Sequence, residues 1–245
     1  MPVAVITGAS SGIGLACAER FLAAGWQVAL LARRAEPLHA LAGRHPGQAL
    51  ALPCDVTDDA GVEAAFDAAM DRFGRIDTLF ANAGIFPPGA TIDEISPADW
   101  RAAVEVNLTG VFLSARAAFG RMRRQVPQGG RIILNGSIAA HSPRPGSGAY
   151  TATKHALTGL TKTLMLDGRS FGITCGQIDI GNARTDLIAA VEEGALQADG
   201  SVRAEPLMEL RQVAEAVLHM ASQPAGANIP FLTITASAMP WIGRG

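Results

Sequence analysis

Short runs of β-forming residues recur at 3–6, 28–32, 49–53, 78–81, 131–134, 174–178 and 231–235, with helically spaced segments between them at 13–24, 61–73, 97–124, 149–171 and 210–221. None of the seven runs alternates cleanly between apolar and polar residues, as expected of strands covered on both faces. Strands alternating with helices predict an α/β fold of Rossmann type: a doubly wound, parallel, seven-stranded sheet with helices on both faces. A chain of 245 residues that is 49 % hydrophobic has ample material for one core, so residues 1–245 are read as a single domain. The stretch 185–206 lacks strong periodicity and mixes Gly, Ala, Glu and Asp. It is the candidate mobile lid between the sixth strand and the last helix.

The first run leads into Thr7-Gly8-Ala9-Ser10-Ser11-Gly12-Ile13-Gly14. Three glycines between a strand and a helix permit a tight turn and close backbone approach, and the helix start offers free N–H groups to a pyrophosphate. Gly8, Ser10, Ser11, Gly12, Ile13 and Gly14 are therefore candidate cofactor-binding residues. A dinucleotide ribose with a free 2′-hydroxyl wants an acid about 20 residues onward. The sequence there reads Leu31-Ala32-Arg33-Arg34, and an arginine fork suits a 2′-phosphate instead. NADP(H) is thus favoured over NAD(H), with a solvated Arg33-Arg34 turn as the alternative. Asp55, followed by Val56 after the third run, is placed either to touch the adenine or to cap a helix.

Tyr150 is the chain's single tyrosine, and Lys154 is one of only two lysines, the other being Lys162. On a helix, residues four apart are neighbours. A phenol is a poor acid or base near neutrality until a cation stabilises its phenolate. Lys154 supplies that charge and can also donate to ribose hydroxyls. Ser137 ends the fifth run, where an open α/β sheet places its ligands, so it is either a turn residue or a donor to a substrate oxygen. Asn107 is a poor helix former inside a helical stretch. It bends that helix, holds a proton-relay water, or does both.

These residues together resemble the short-chain dehydrogenase/reductase family over nearly the whole chain. The matching pieces stand in family order: the glycine turn; Asp55; Asn82-Ala83-Gly84; Asn107; Ser137; Tyr150 with Lys154; and Gly181 with Thr185. The resemblance implies that Tyr150 is the general acid/base, that Lys154 lowers its pKa and binds the nicotinamide ribose, that Ser137 orients the substrate and that Asn107 holds the relay water. It also implies that Thr185 contacts the carboxamide, that Asn82, Ala83 and Gly84 line the adenosine side, and that Arg33 meets the 2′-phosphate. The implied reaction is NADP(H)-dependent interconversion of a small carbonyl compound and its alcohol, in a homotetramer or homodimer. Ile180-Gly181 replaces the family's common Pro-Gly, which predicts a looser or differently shaped wall beside the nicotinamide. The ending, with Met239-Pro240-Trp241, also departs from the Val-Asp-Gly-Gly type.

Other classes fit less well. A net charge of −2 with intermixed signs gives no basic stripe for nucleic acid. Cys17, Cys54 and Cys175 are far apart, and the five histidines lack ligand spacing, so neither a disulfide framework nor a metal site is expected. No apolar run approaches membrane-spanning length and no basic leader precedes the first strand, which predicts a cytoplasmic protein. Arg121, Arg123 and Arg124 read as the solvated, cationic end of a helix, and His141 as a rim or packing residue that could line the substrate mouth. A sugar epimerase or dehydratase usually needs a further substrate domain. A non-catalytic NADP(H) sensor leaves the Asn107, Ser137, Tyr150 and Lys154 set without a purpose.

Overall fold

The computed structural model describes residues 1–185 and 194–242. Seven strands form one sheet: β1 (Val3–Thr7), β2 (Gln27–Ala32), β3 (Ala49–Pro53), β4 (Thr78–Ala81), β5 (Gly130–Asn135), β6 (Ile173–Ile180) and β9 (Phe231–Ile234). Their order is β3-β2-β1-β4-β5-β6-β9, and every neighbouring pair is parallel. The order reverses beside β1, where the chain leaves toward β2 on one side and β4 on the other. A crevice opens there at the carboxyl ends of the strands.

The helices are α1 (Gly12–Ala23), α2 (Ala35–Arg44), α3 (Asp59–Phe73), α4 (Pro97–Val104), α5 (Gly110–Arg124), α6 (Gly148–Gly168) and α7 (Leu210–Ala221). Alternate residues of each strand serve opposite layers, as a pleated strand dictates. Ile6, Leu30 and Phe80 face a core with Phe21, Trp26 and Val217. Val5, Leu31 and Leu79 face a second core with Phe66, Met122 and Leu157. Phe66 is fully buried, and truncating such a side chain to alanine costs roughly 3–5 kcal/mol. Local signals set the ends: the Ser96 hydroxyl accepts the Asp99 N–H at 3.0 Å and Pro97 occupies the first turn of α4, where its missing N–H costs nothing.

Four features depart from the sequence reading. Helix α2 was hidden by its short length, although Leu38 and Leu41 bury its inner face. The expected helix 97–124 is divided by a π-turn at Glu105–Thr109. Arg121 is no solvated end: only 9 % exposed, it reaches Glu63 at 2.7 Å and Asp67 at 2.6 Å, tying α5 to α3. Nor is the wall at Ile180 loose, because β6 pairs with β9 through Ile180 opposite Ile234 and the Gly181 N–H donates to the Ile234 carbonyl at 2.9 Å.

Of the expected lid, 186–193 lies outside the described residues. Its later part carries a two-stranded hairpin, β7 (Ala195–Leu196) against β8 (Val202–Arg203).

Candidate active site

A cleft of about 520 Å³ runs along the crevice, bordered by the phosphate turn at one end and by Tyr150 and Lys154 deeper in. The turn between β1 and α1 is as tight as its glycines allow. Gly8 has φ +66°, and a Cβ on Gly14 would lie 2.2 Å from the Gly8 carbonyl oxygen, so Gly14 seats the helix start behind the cradle. Thr7 fastens the turn to the sheet. Its Oγ1 accepts the Asn82 and Ala83 N–H groups at 2.9 and 3.0 Å, while Asn82 Nδ2 donates to the Thr7 carbonyl at 3.0 Å. Asn82 is thus a brace between β1 and β4 as well as part of the cleft wall, which Ala83 and Gly84 continue.

At the end of β2, Arg33 and Arg34 both border the cleft. The Arg34 guanidinium crosses the turn and donates to Ser10 Oγ at 3.1 Å and Ser11 Oγ at 2.6 Å, which concentrates positive charge and hydroxyl donors at one point. Asp55 does not cap α3, whose N-cap is Asp58. Its Oδ1 accepts the Thr57 N–H at 3.0 Å, and that bond holds its carboxyl below the usual range. Ile13, Val56, Gly181 and Thr185 complete the lining.

Ser137 sits at the start of a short 3₁₀ turn after β5, where its Oγ accepts the Ala139 N–H at 3.1 Å. Ser137 and Tyr150 line the same cleft. Tyr150 is on the first turn of α6, with the Phe86 ring 4.6 Å from its own. Lys154 is one helical turn on, its Nζ 5.4 Å from the Tyr150 ring centre and donating to the Asn135 carbonyl at 2.6 Å. Burial pushes the Tyr150 phenol up, against the lowering influence of the Ser137 hydroxyl and the Arg144 charge. Burial also brings Lys154 down to about 8. Arg144, which the sequence pattern did not single out, is thus a second cation acting on the phenol.

Asn107 and Gly14 lie behind the cleft wall. Asn107 is fully buried within the π-turn, which interrupts the α-helical ladder there. Its amide pairs with the main chain of Ile85, accepting the N–H at 2.8 Å and donating to the carbonyl at 2.9 Å. That pairing fixes the loop bearing Phe86. His141 is not part of the cleft lining and contacts Asp179 and Trp241 instead.

The substrate side was the least legible part. Arg144 Nη2 reaches Asn182 Oδ1 at 2.8 Å and forms an ion pair with Glu205. Glu205 in turn accepts from Asn182 Nδ2 at 2.7 Å and from Gln197 Nε2 at 3.0 Å. An Asp in a strand that is otherwise apolar around it, at 178–180, was the signal available for Asp179.

The residues present fit a nicotinamide dinucleotide. The cradle at Gly14 has no room for a side chain, and Asn135 Oδ1, on a residue lining the cleft, is buried without a hydrogen-bond partner among the described residues. Among those residues no group of His, Cys, Asp and Glu could hold a metal, and no helix is long and apolar enough to cross a membrane.

Residues 2–195 match the family model described as short chain dehydrogenase. The 2-(R)-hydroxypropyl-CoM dehydrogenase of Xanthobacter autotrophicus is 36 % identical over 233 residues, covering 91 % of this chain and 92 % of that protein. The 3-ketoacyl-(acyl-carrier-protein) reductase from Brucella melitensis, solved with NADH, superposes with a TM-score of 0.86 at 28 % identity, covering 97 % of this chain and 98 % of that one. An alcohol dehydrogenase from Thermococcus sibiricus, solved with 5-hydroxy-NADP, gives a TM-score of 0.82 at 26 % identity, with 96 % of both chains covered.

Proposed function

The chain belongs to the short-chain dehydrogenase family, and from that premise we propose that it is an NADP(H)-dependent reductase of ketones or aldehydes, working reversibly with Tyr150 as general acid/base. That it is an oxidoreductase acting on alcohol or carbonyl groups with a nicotinamide cofactor follows from its relatives. The observation carrying the finer reading is the gathering of Ser137, Tyr150 and Lys154 on one cleft, with the buried Lys154 Nζ 5.4 Å from the Tyr150 ring centre. The cofactor supplies or accepts the hydride when bound. Tyr150 gives its proton to the substrate oxygen, Ser137 donates a hydrogen bond to that oxygen, and Lys154, with an N–H beyond the one held by Asn135, stabilises the phenolate left behind. Asn107 secures the Phe86 loop over Tyr150, and a relay water beside it would return the proton.

Preference for NADP(H) rests on Arg33 and on Arg34 with Ser10 and Ser11, since a 2′-phosphate gains charge-assisted bonds there. Residues 185–206 serve as the lid over the substrate. The protein works in the cytoplasm as a homotetramer or homodimer; self-association is supported by Phe112 on α5 and Leu166 on α6, large apolar side chains 47 % and 59 % exposed. Following NADPH and NADH absorbance with ketones and aldehydes tests the function. Turnover preferring NADPH is expected, whereas binding without turnover on any carbonyl would leave a sensor. Solution scattering tests the assembly, which a monomer would refute.

A further inference from the structure

Directly behind the catalytic wall lies a carboxylate that the reaction above does not use. Asp179, near the end of β6, has a fully buried side chain. Its Oδ1 accepts the Ser137 N–H at 3.1 Å and Gln177 Nε2 at 2.7 Å, and its Oδ2 contacts His141 Nε2 at 2.8 Å. Partners able to donate on both oxygens suit an ionised carboxylate, which accepts only. Gln177 is held in turn by Thr161 at 3.2 Å and Thr158 at 3.3 Å, both on α6, the helix of Tyr150 and Lys154. One polar chain thus joins α6 to β6 and to the Ser137 turn.

The close fit extends to β5. A Cβ on Gly136 would lie 2.1 Å from Asp179 Oδ1, so the residue before Ser137 has no room for a side chain. A buried charge costs several kcal/mol unless its partners are well placed, and the neighbouring Ile178 and Ile180 show an apolar strand around it. The charged and titratable groups facing it, among the described residues, are His141, Tyr150 and Lys154, with Arg144 beyond, itself paired with Glu205.

We propose that Asp179 is a positioning residue for the reaction: its bond to the Ser137 N–H fixes the serine in the cleft it shares with Tyr150, and its carboxylate sets a negative charge behind the Tyr150 and Lys154 pair. The proposal rests on Tyr150 being the acid/base. Its charge raises both groups: it opposes the burial that lowers Lys154, and it adds to the burial that raises Tyr150. Neutralising it therefore moves both downward.

Asp179→Asn preserves shape and an acceptor for Ser137 while removing the charge. Expected are NADPH affinity within about twofold of wild type, kcat for carbonyl reduction lower by roughly tenfold to a hundredfold, and an alkaline limb of the pH profile displaced to lower pH. An unmoved limb, whether kcat is normal or merely lower at every pH, overturns the proposal. Should that variant fail to fold, His141→Phe at the half-exposed rim removes the partner of Oδ2, leaves the carboxylate less compensated and moves the limb to higher pH; no movement is again contrary. Tyr150→Phe is measured alongside. An active Tyr150→Phe defeats the acid/base reading, whereas an inactive one beside a wild-type-like Asp179→Asn defeats the Asp179 proposal alone.

Discussion

At the phosphate end of the cleft the working parts are glycines and main-chain groups drawn from eight consecutive residues, Thr7 to Gly14, braced by Asn82. At the proposed substrate end they are the side chains of Arg144 and Asn182, backed by Glu205 and Gln197, with the ion-paired Arg144 and Glu205 61 positions apart in the chain. A backbone cradle serves any pyrophosphate, because every residue has an N–H and only space need be left for it. A side-chain network has a particular shape and charge, and so can distinguish one substrate from another. Tyr150 and Lys154 stand between, fixed by the spacing of a single helix.

If that division holds, substitutions in the middle should abolish chemistry, those at the phosphate end should act on cofactor binding, and those at the substrate end should act on substrate KM. The largest expected effect is Tyr150→Phe, with kcat down by about 10²–10⁴-fold and NADPH affinity nearly unchanged by fluorescence titration. Next is Gly14→Ala. Its Cβ meets the Gly8 carbonyl oxygen at 2.2 Å, so the turn must open, at roughly 1–3 kcal/mol of stability, and NADPH binding weakens by about tenfold or more on the same scale. A calorimetric scan with and without cofactor checks both. Arg34→Ala should cost NADPH roughly tenfold in affinity and leave NADH almost untouched. Equal losses would mean that Arg34 only supports the turn through Ser10 and Ser11.

Glu205→Gln sharpens the other side. It should raise substrate KM several-fold and speed hydrogen exchange around β7 and β8, with NADPH affinity unaltered; a changed cofactor affinity would break the division. The smallest effect is one of pH. Lys154 holds its proton only up to about 8 in the free protein, so kcat/KM should decline above that pH as the ammonium is lost. Linkage runs the other way for stability. Because the unfolded chain keeps the Lys154 proton to higher pH, the penalty for burying the ammonium is full below about 8 and is relieved as pH rises toward the ordinary lysine range. The stability of wild type relative to Lys154→Met should therefore improve over that interval, as chemical denaturation would show.

How much of this the sequence discloses follows the same division. The seven strands and the glycine turn are local patterns, and they were readable because burial on both faces and tight turning each leave a mark within a few residues. Tyr150 and Lys154 were readable because both types are scarce and their spacing is helical. The π-turn at Glu105–Thr109 was half legible: Asn107 signalled a disturbed helix, but its pairing with Ile85 depends on a loop 22 residues away. Arg121 and Arg144 were misjudged or missed for one reason. A sequence shows the charge of an arginine, but whether it is solvated depends on what the fold brings opposite, Glu63 and Asp67 in one case and Glu205 in the other. Asp179 shares that limit, since its partners Ser137 and His141 come from the next strand's turn.

The most direct test of the account is the initial rate of NADPH oxidation by wild type and Tyr150→Phe, side by side, across ketones, aldehydes, keto-acids and quinones. The account predicts turnover of at least one carbonyl by wild type, faster with NADPH than NADH, and a fall of at least about a hundredfold in the variant. A variant as fast as wild type, or a wild type that binds NADPH and reduces none of them, would contradict it.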